Sequence, residues 1–373
     1  MSLNIVTEEY FRRYVQCVRT LQDKYLYYHD DRYYKAVLIW CNHVDIFKMF
    51  HFTPILKMEG EHGTGKSQTI MFCAGMVNRY AYLTGYTVAS LRNDIDHNND
   101  RGFFLDEQKI KLKEDVLTLL RVGAYRTGGC IQIAGKHPGE RIKFKVFAPK
   151  AFGTYFPLTD AALESRCFTL YTKRKPDNIF REDAVVDIIR VEATPLREMQ
   201  SIILKETRGR ISEIYAGLRV PELGSNRIFQ IYRVLLSIAK AYDEICPDFG
   251  FYDAILKIGI SQKDRENAER DLSNIERTAF AEALLWYVRT YPMDRDGSFY
   301  RLDKIASVLR GSDSRYSGWR IEDLSKGLKK HKFVIKSSRP RFEDPNDSNK
   351  VFQATCVVFD VDKLNTIAHS GQN

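Results

Sequence analysis

The stretch that decides the fold is Met58-Glu59-Gly60-Glu61-His62-Gly63-Thr64-Gly65-Lys66-Ser67, preceded by the short apolar run Pro54-Ile55-Leu56 and followed by Gln68-Thr69-Ile70-Met71-Phe72-Cys73-Ala74. Gly60, Gly65, Lys66 and Ser67 stand at the spacing G-x-x-x-x-G-K-S, the phosphate-binding loop. The glycines let the backbone turn tightly and aim its N–H groups at phosphate oxygens. The helix predicted behind them adds the positive end of its dipole. Residues Gly60 to Gln68 are therefore the predicted nucleotide contacts, with Lys66 on the β- and γ-phosphates and the Ser67 hydroxyl on Mg²⁺.

Working outward, 373 residues leave room for two or three domains. The net charge of +9 fits an anionic partner, nucleic acid first, or simply a solvated basic surface. The seven cysteines are odd in number and form no C-x-x-C pair, which predicts reduced thiols in a cytoplasmic protein rather than a disulfide or zinc framework. No apolar run approaches the roughly 18 residues of a membrane span, and the start lacks the pattern of a signal peptide.

Before the loop, residues 7–50 read as helices. The tyrosine-rich stretch Lys24 to Lys35 suits helix packing better than stacking on single-stranded bases. After it, Tyr86 to Leu91 is predicted as a strand and Asn93 to Asp100 as a polar loop. Gly102-Phe103-Phe104-Leu105-Asp106-Glu107 is then an apolar strand ending in two acids. A parallel sheet delivers such acids to the ligand crevice, Asp106 to hold Mg²⁺ with Ser67 and Glu107 to polarise the attacking water. Glu114 to Val122 continues as a helix.

Next, Cys130 to Ala134 and Arg141 to Phe147 alternate as the arms of a hairpin, with Lys136 and His137 at the turn and Arg141, Lys143 and Lys145 facing outward. Such a hairpin either touches DNA in the pore of a ring or is a solvated ribbon whose charges protect an edge. Phe147-Ala148-Pro149-Lys150 is expected to end that arm on the same sheet edge as the acids. A short helix then delivers Arg166 just before a last strand, either as an arginine finger for a neighbouring subunit's γ-phosphate or as a structural ion pair.

This order of parts resembles the AAA+ ATPases, and within them the MCM-like helicases and their relatives in bacterial and archaeal mobile elements. Ser165-Arg166-Cys167-Phe168 is similar to the finger motif of the MCM proteins, and the likeness spans roughly residues 35–245. The segment Leu119 to Gly123, the following hairpin and Phe147 to Ala151 look like a domain of unknown function often fused to primase or replication modules. The resemblance implies that Lys66, Ser67, Asp106 and Glu107 carry hydrolysis, that Arg166 acts in trans, and that Lys136 or His137 follows DNA. It also implies a departure, because Pro149-Lys150 stands where these enzymes place a sensor asparagine; Lys150 is the expected substitute on the γ-phosphate. The usual MCM N-terminal DNA-binding domain and any primase are absent from the pattern.

Residues 182–262 read as a helical lid. Ser225 is an expected helix cap, and Arg227 resembles the second sensor arginine of MCM-like lids, bending over the nucleotide, with Arg233 as the fallback and a plain surface arginine as the other reading. The charged run Lys263 to Arg277 reads as a solvated helix or linker. Beyond it, three helical stripes and two strands around a polar loop, Ser337 to Lys350, predict a winged helix. Arg320, Lys326, Lys329 and Lys330 on its third helix and Arg339 and Arg341 on its wing are the expected DNA contacts, with protein docking as the other use.

The expected architecture is thus α/β: a P-loop AAA+ parallel sheet (51–180) with a helical lid (181–262), an N-terminal helical segment (1–50) and a C-terminal winged helix (275–373). The expected function is an ATP- and Mg²⁺-dependent DNA helicase of replication. It would form a homo-oligomeric ring, expected to be a hexamer, on single-stranded or forked DNA, with a separately encoded primase or initiator as a further partner. The rivals are an ATP-switched initiator or helicase loader, an AAA+ remodeller of proteins, and a P-loop kinase.

Overall fold

The computed structural model describes residues 6–106, 114–135, 137, 140–155, 158, 160–224, 227–291, 300–312, 316, 318, 320–331, 333–338, 341–344, 347–353 and 355–369. For 269–275, 335–336, 338, 341–344 and 347–353 it describes the backbone alone. Glu107, Lys136, Ser225 and Arg339 lie outside the described residues. The chain divides into two units, Met1–Asp264 and Arg265–Asn373.

The first unit opens with α1 (Glu8–Tyr25), which begins where the Thr7 hydroxyl accepts from the Tyr10 N–H at 3.1 Å. Its stripe of Phe11, Tyr14, Val15, Val18 and Leu21 is buried. The following α2 (Arg32–Ile46) is buried on nearly every side, as a core helix is. Tyr25, Tyr28, Tyr33 and Tyr34 point into this core, so packing accounts for them.

Alternating strands and helices follow: β1 (Ile55–Glu59), α3 (Lys66–Met76), β2 (Tyr80–Leu83), α4 (Val88–His97), β3 (Gly102–Leu105), α5 (Glu114–Val122), β4 (Cys130–Ala134), β5 (Arg141–Lys145), β6 (Lys150–Thr154), α6 (Ala161–Glu164) and β7 (Cys167–Tyr171). Five of the strands form one parallel sheet in the order β2-β3-β6-β1-β7. Helices cover such a sheet on both faces, so β1 and β3 are buried along their whole length. Lys57, fully buried in β1, keeps its charge. Burial works against it, but Glu164 and Glu59, the latter at 2.7 Å, outweigh that and leave the ammonium raised above its ordinary value.

Three expectations fail here. Tyr86 to Leu91 is not a strand: the hydroxyl of Thr87 accepts from Ser90 N and Ser90 Oγ accepts from Thr87 N, a capping box that starts α4. That helix runs through most of the supposed loop Asn93 to Asp100, and the strand lies earlier, at β2. Lys150 does not end the hairpin arm. It begins β6, a new central strand, opposite Phe103 at the start of β3, so it sits at the amino edge of the sheet while Asp106 sits at the carboxyl edge.

The hairpin β4–β5 pairs Cys130 with Lys145 through Ala134 with Arg141, as the alternation predicts. Then come α7 (Val186–Glu192), α8 (Thr194–Gly217), α9 (Arg227–Asp243) and α10 (Phe251–Thr290). The Tyr14 hydroxyl donates to Gln200 Oε1 at 2.9 Å, and Tyr242 donates to Asn42 Oδ1 at 2.7 Å. These buried bonds knit α1 and α2 to α8 and α9, so the two N-terminal helices share the core of the unit.

In the second unit, β8 (Tyr300–Arg301), α11 (Leu302–Ser312), α12 (Ile321–His331), β9 (Val334–Ser338), β10 (Arg341–Asp344), β11 (Asp347–Gln353), β12 (Cys356–Phe359) and α13 (Val361–His369) follow the end of α10. A sheet in the order β8-β12-β9 is antiparallel, and β10–β11 is a separate hairpin. Phe280, Leu284, Ile305, Leu309, Leu324, Leu328, Phe333 and Leu364 make the core. The expected loop Ser337 to Lys350 is therefore largely strand, and the expected strand Val351 to Phe359 is two strands in two sheets. No helix of the described residues is long and apolar enough to cross a membrane.

Candidate functional site

The carboxyl edge of the parallel sheet gathers the loop residues Gly60 to Gln68 and Asp106. The loop leaves β1 at Gly60, where a Cβ would meet Thr172 Oγ1 at 2.4 Å and the Thr172 carbonyl at 2.5 Å; only glycine fits. Gly65 has φ 86°, a left-handed conformation that glycine adopts without cost, and it turns the chain into α3. Thr64 Oγ1 lies 2.7 Å from Thr172 Oγ1 and donates to Glu61 O at 2.8 Å, which pins the loop to the end of β7.

Lys66 Nζ donates to Gly60 O at 2.7 Å and Glu61 O at 2.6 Å, and burial lowers its pKa. The face of Tyr155 lies 4.4 Å from this ammonium, and the ring stacks on His62 at 6.4 Å and 11°. Ser67 Oγ donates to Asp106 Oδ1 at 2.8 Å, and Tyr82 donates to Asp106 Oδ2 at 2.6 Å.

A cavity of about 400 Å³ opens over the loop, lined by His62 to Gln68 and by Tyr25, Tyr27, Tyr155, Lys175, Arg181 and Asp183. This is room enough for a small-molecule ligand. Arg181 is fixed by Nε donating to Leu26 O at 2.5 Å. Gln68 Oε1 accepts from Ala184 N at 2.5 Å, which ties α3 to the segment behind β7. The residues fit a magnesium–triphosphate. An ammonium and a helix N-terminus face the cavity, a hydroxyl and a carboxylate stand together, and Thr154 Oγ1, buried at the end of β6, has no hydrogen-bond partner among the described residues.

Two predicted nucleotide contacts are not brought to this cavity. Lys150 Nζ is spent on the carbonyls of Ala148 (2.8 Å), Gly123 (3.1 Å) and Val146 (3.2 Å), fully buried at the opposite edge. Burial pushes its pKa down to about 7. Arg227 does not line the cavity. It donates through Nη1 to Ser165 Oγ at 2.9 Å.

The amino edge carries the remaining arginines. Arg166 is half-buried, with its guanidinium 5.3 Å from the Tyr125 ring and Nη1 on Ala162 O; its Nε is buried and without a hydrogen-bond partner among the described residues. Burial first, then the neighbouring charges of Arg227 and Arg121, lower its pKa. Arg121 is itself paired with Asp160 at 2.8 Å and Glu114 at 2.9 Å.

Of the expected DNA contacts, His137, Arg320, Lys326, Lys329 and Lys330 are exposed. Arg320 and Lys326 stand 3.8 Å and 3.6 Å from Asp323, and Lys330 stands 4.0 Å from Glu276. Arg341 begins β10.

Sequence reasoning missed Tyr82, Thr154, Tyr155, Arg181 and Asp183. None of the five belongs to a motif. The signal for Thr154 and Tyr155 was the apolar run that ends at Gly153, visible once β6 is read as a central strand.

No family model and no curated protein sequence matches the chain. Among solved structures, it is similar to one titled "SCCmec type IV Cch - active helicase", at 12% identity and a TM-score of 0.43, over 89% of this chain and 68% of that one. It is also similar to "The A form apo structure of NrS-1 C terminal region-CTR", at 12% identity and a TM-score of 0.36, over 96% of this chain and 78% of that one. With TM-scores below 0.5, neither likeness carries weight for function.

Proposed function

We propose that this chain is a Mg²⁺-dependent AAA+ ATPase that works on DNA as a helicase of a replication module, assembled as a ring, with a hexamer the expected size. The observation that carries the reading is the gathering of Lys66, Ser67 and Asp106 at one edge of a parallel sheet of order β2-β3-β6-β1-β7, with Arg166 at the other edge. A subunit's own arginine then lies away from its own loop, where a neighbour's nucleotide can meet it.

In this reading Lys66 leaves the carbonyls of Gly60 and Glu61 for the phosphates. Ser67 and Asp106 hold the Mg²⁺, which supplies neutralising charge when bound. Glu107 orients the attacking water. Arg166, with Arg227 beside it, stabilises charge on the neighbour's transferring phosphoryl group. Thr154 and Tyr155, at the end of the strand between β1 and β3, replace Lys150 as the polar groups nearest the terminal phosphate. Exposed Arg141, Lys143 and Lys145 supply phosphate contacts on the hairpin.

The second unit favours one alternative. If its helices and strands form a winged helix whose third helix, α12, exposes Lys326, Lys329 and Lys330 to DNA, the protein is an ATP-switched initiator or helicase loader. The deciding experiment measures ATPase rate and oligomer mass with and without single-stranded and forked DNA, then strand separation. A helicase shows DNA-stimulated turnover, a ring mass and unwinding of the fork. An initiator binds one duplex sequence and unwinds little. A monomer with full DNA-independent turnover overturns both.

A further inference from the structure

Tyr82 is outside every motif, yet it touches the carboxylate on which the proposed cation site depends. It lies one residue before the end of β2, the edge strand, opposite Phe104 of β3. Its hydroxyl donates to Asp106 Oδ2 at 2.6 Å, while Ser67 donates to the other oxygen, Oδ1, at 2.8 Å. The backbone adds a third tie, from Asp106 N to Leu83 O at 2.9 Å. Asp106 is 7% exposed, so water competes little with these bonds.

We propose that Tyr82 is the positioning residue of the Mg²⁺ site: its phenol fixes the rotation of the Asp106 carboxylate so that Oδ1 faces Ser67. The proposal rests on the reading of Lys66, Ser67 and Asp106 as an ATP–Mg²⁺ site and adds a residue to it. A carboxylate bonded through one oxygen turns about its Cβ–Cγ bond, because that torsion is broad. Held at both oxygens, it presents one fixed lone-pair set to the side where Ser67 stands. A phenol suits this role because it is a neutral donor and orients the carboxylate without a cation that would compete with the metal for it. Partners of this kind, one bond removed from a metal, change metal affinity by about 10–100-fold when lost.

The test titrates Mg²⁺ against a fluorescent ATP analogue bound to the full chain, with Mn²⁺ binding read by electron paramagnetic resonance as a second measure. Tyr82→Phe is expected to raise the half-saturating concentration of both metals about 10-fold or more. It should leave nucleotide affinity in EDTA unchanged. In an Asp106→Asn background the same change should have no further effect on metal binding, because the proposed influence of Tyr82 on the metal runs through that carboxylate. A merely structural tyrosine would shift metal-free and metal-bound affinity together, and equally in both backgrounds. Tyr82→Leu serves as a second variant if the first melts early. Metal half-saturation within about 2-fold of the parent in a folded variant overturns the proposal. Lys66→Ala separates the two failures: if it binds nucleotide like the parent, the nucleotide reading itself is wrong; if it does not, only the role of Tyr82 is lost.

Discussion

Arg227 donates to Ser165 Oγ at 2.9 Å, next in sequence to Arg166, so the two arginines stand together at the amino edge of the sheet. Helix α9 thereby brings its first residue beside Arg166 and not into the cavity over the chain's own glycine-rich loop. The prediction is that Arg227→Ala leaves nucleotide affinity of dilute, unassembled chains unchanged but lowers turnover of the assembled protein. Arg166→Ala should lower it further, by roughly 10³-fold for a full finger. Mixing Arg166→Ala with Lys66→Ala chains should restore part of the turnover at mixed contacts. No rescue at any ratio removes the trans assignment, and weakened binding by unassembled Arg227→Ala returns that arginine to its own site.

Lys66 rests on two loop carbonyls, so the loop is already folded around its ammonium. Removing the side chain deletes the proposed phosphate contact without touching the sheet. Lys66→Ala should therefore lose ATP binding while melting near the parent temperature, checked by equilibrium binding and calorimetry. Glu107→Gln should bind ATP like the parent and stop turnover; normal turnover would show that another group orients the water.

Arg141, Lys143 and Lys145 are exposed on one arm of a two-stranded ribbon, with Phe144 turned inward against Arg92 at 4.1 Å. If these charges follow a DNA strand, changing all three to Gln should flatten the plot of log binding constant against log salt by about 2. Basal ATPase without DNA should not change. An unaltered salt slope would leave the arm as a charged guard on a sheet edge.

How much of this was legible in the sequence follows from the range of the forces involved. The loop, β3, the hairpin and α5 were readable because spacing, alternation and helical period are local. The capping box of Thr87 and Ser90 is also local, but the aromatic and β-branched run Tyr86-Thr87-Val88 masked it. Lys150 and Arg227 went astray for a different reason. The edge that Lys150 occupies depends on where β6 begins, and Pro149 reads as an ending when it is the residue before a central strand. The start of α9 was legible, but where its first turn lands is set by tertiary packing, which brings Arg227 to Ser165. Tyr82 was invisible because its partner, Asp106, is reached across a strand pair.

The ammonium of Lys150 gives a pH test of this edge assignment. Buried and lowered to about 7, it is neutral in the folded chain over a range where an unfolded lysine, near 10.4, is still protonated. Between those two values the unfolded state binds more protons, so this group makes stability rise with pH, by at most about 1.4 kcal/mol per unit. Below pH 7 the folded lysine must also take its proton and the gain is absent. Lys150→Met should remove that slope, and it should cost on the order of 2 kcal/mol near neutrality by stranding the carbonyls of Gly123, Val146 and Ala148. Denaturant unfolding of both proteins from pH 6.5 to 10 checks the sign. Equal slopes would mean that the lysine keeps its proton on those carbonyls throughout. In either case ATP affinity of the folded variant should match the parent; a loss of affinity at unchanged stability would return Lys150 to the phosphate.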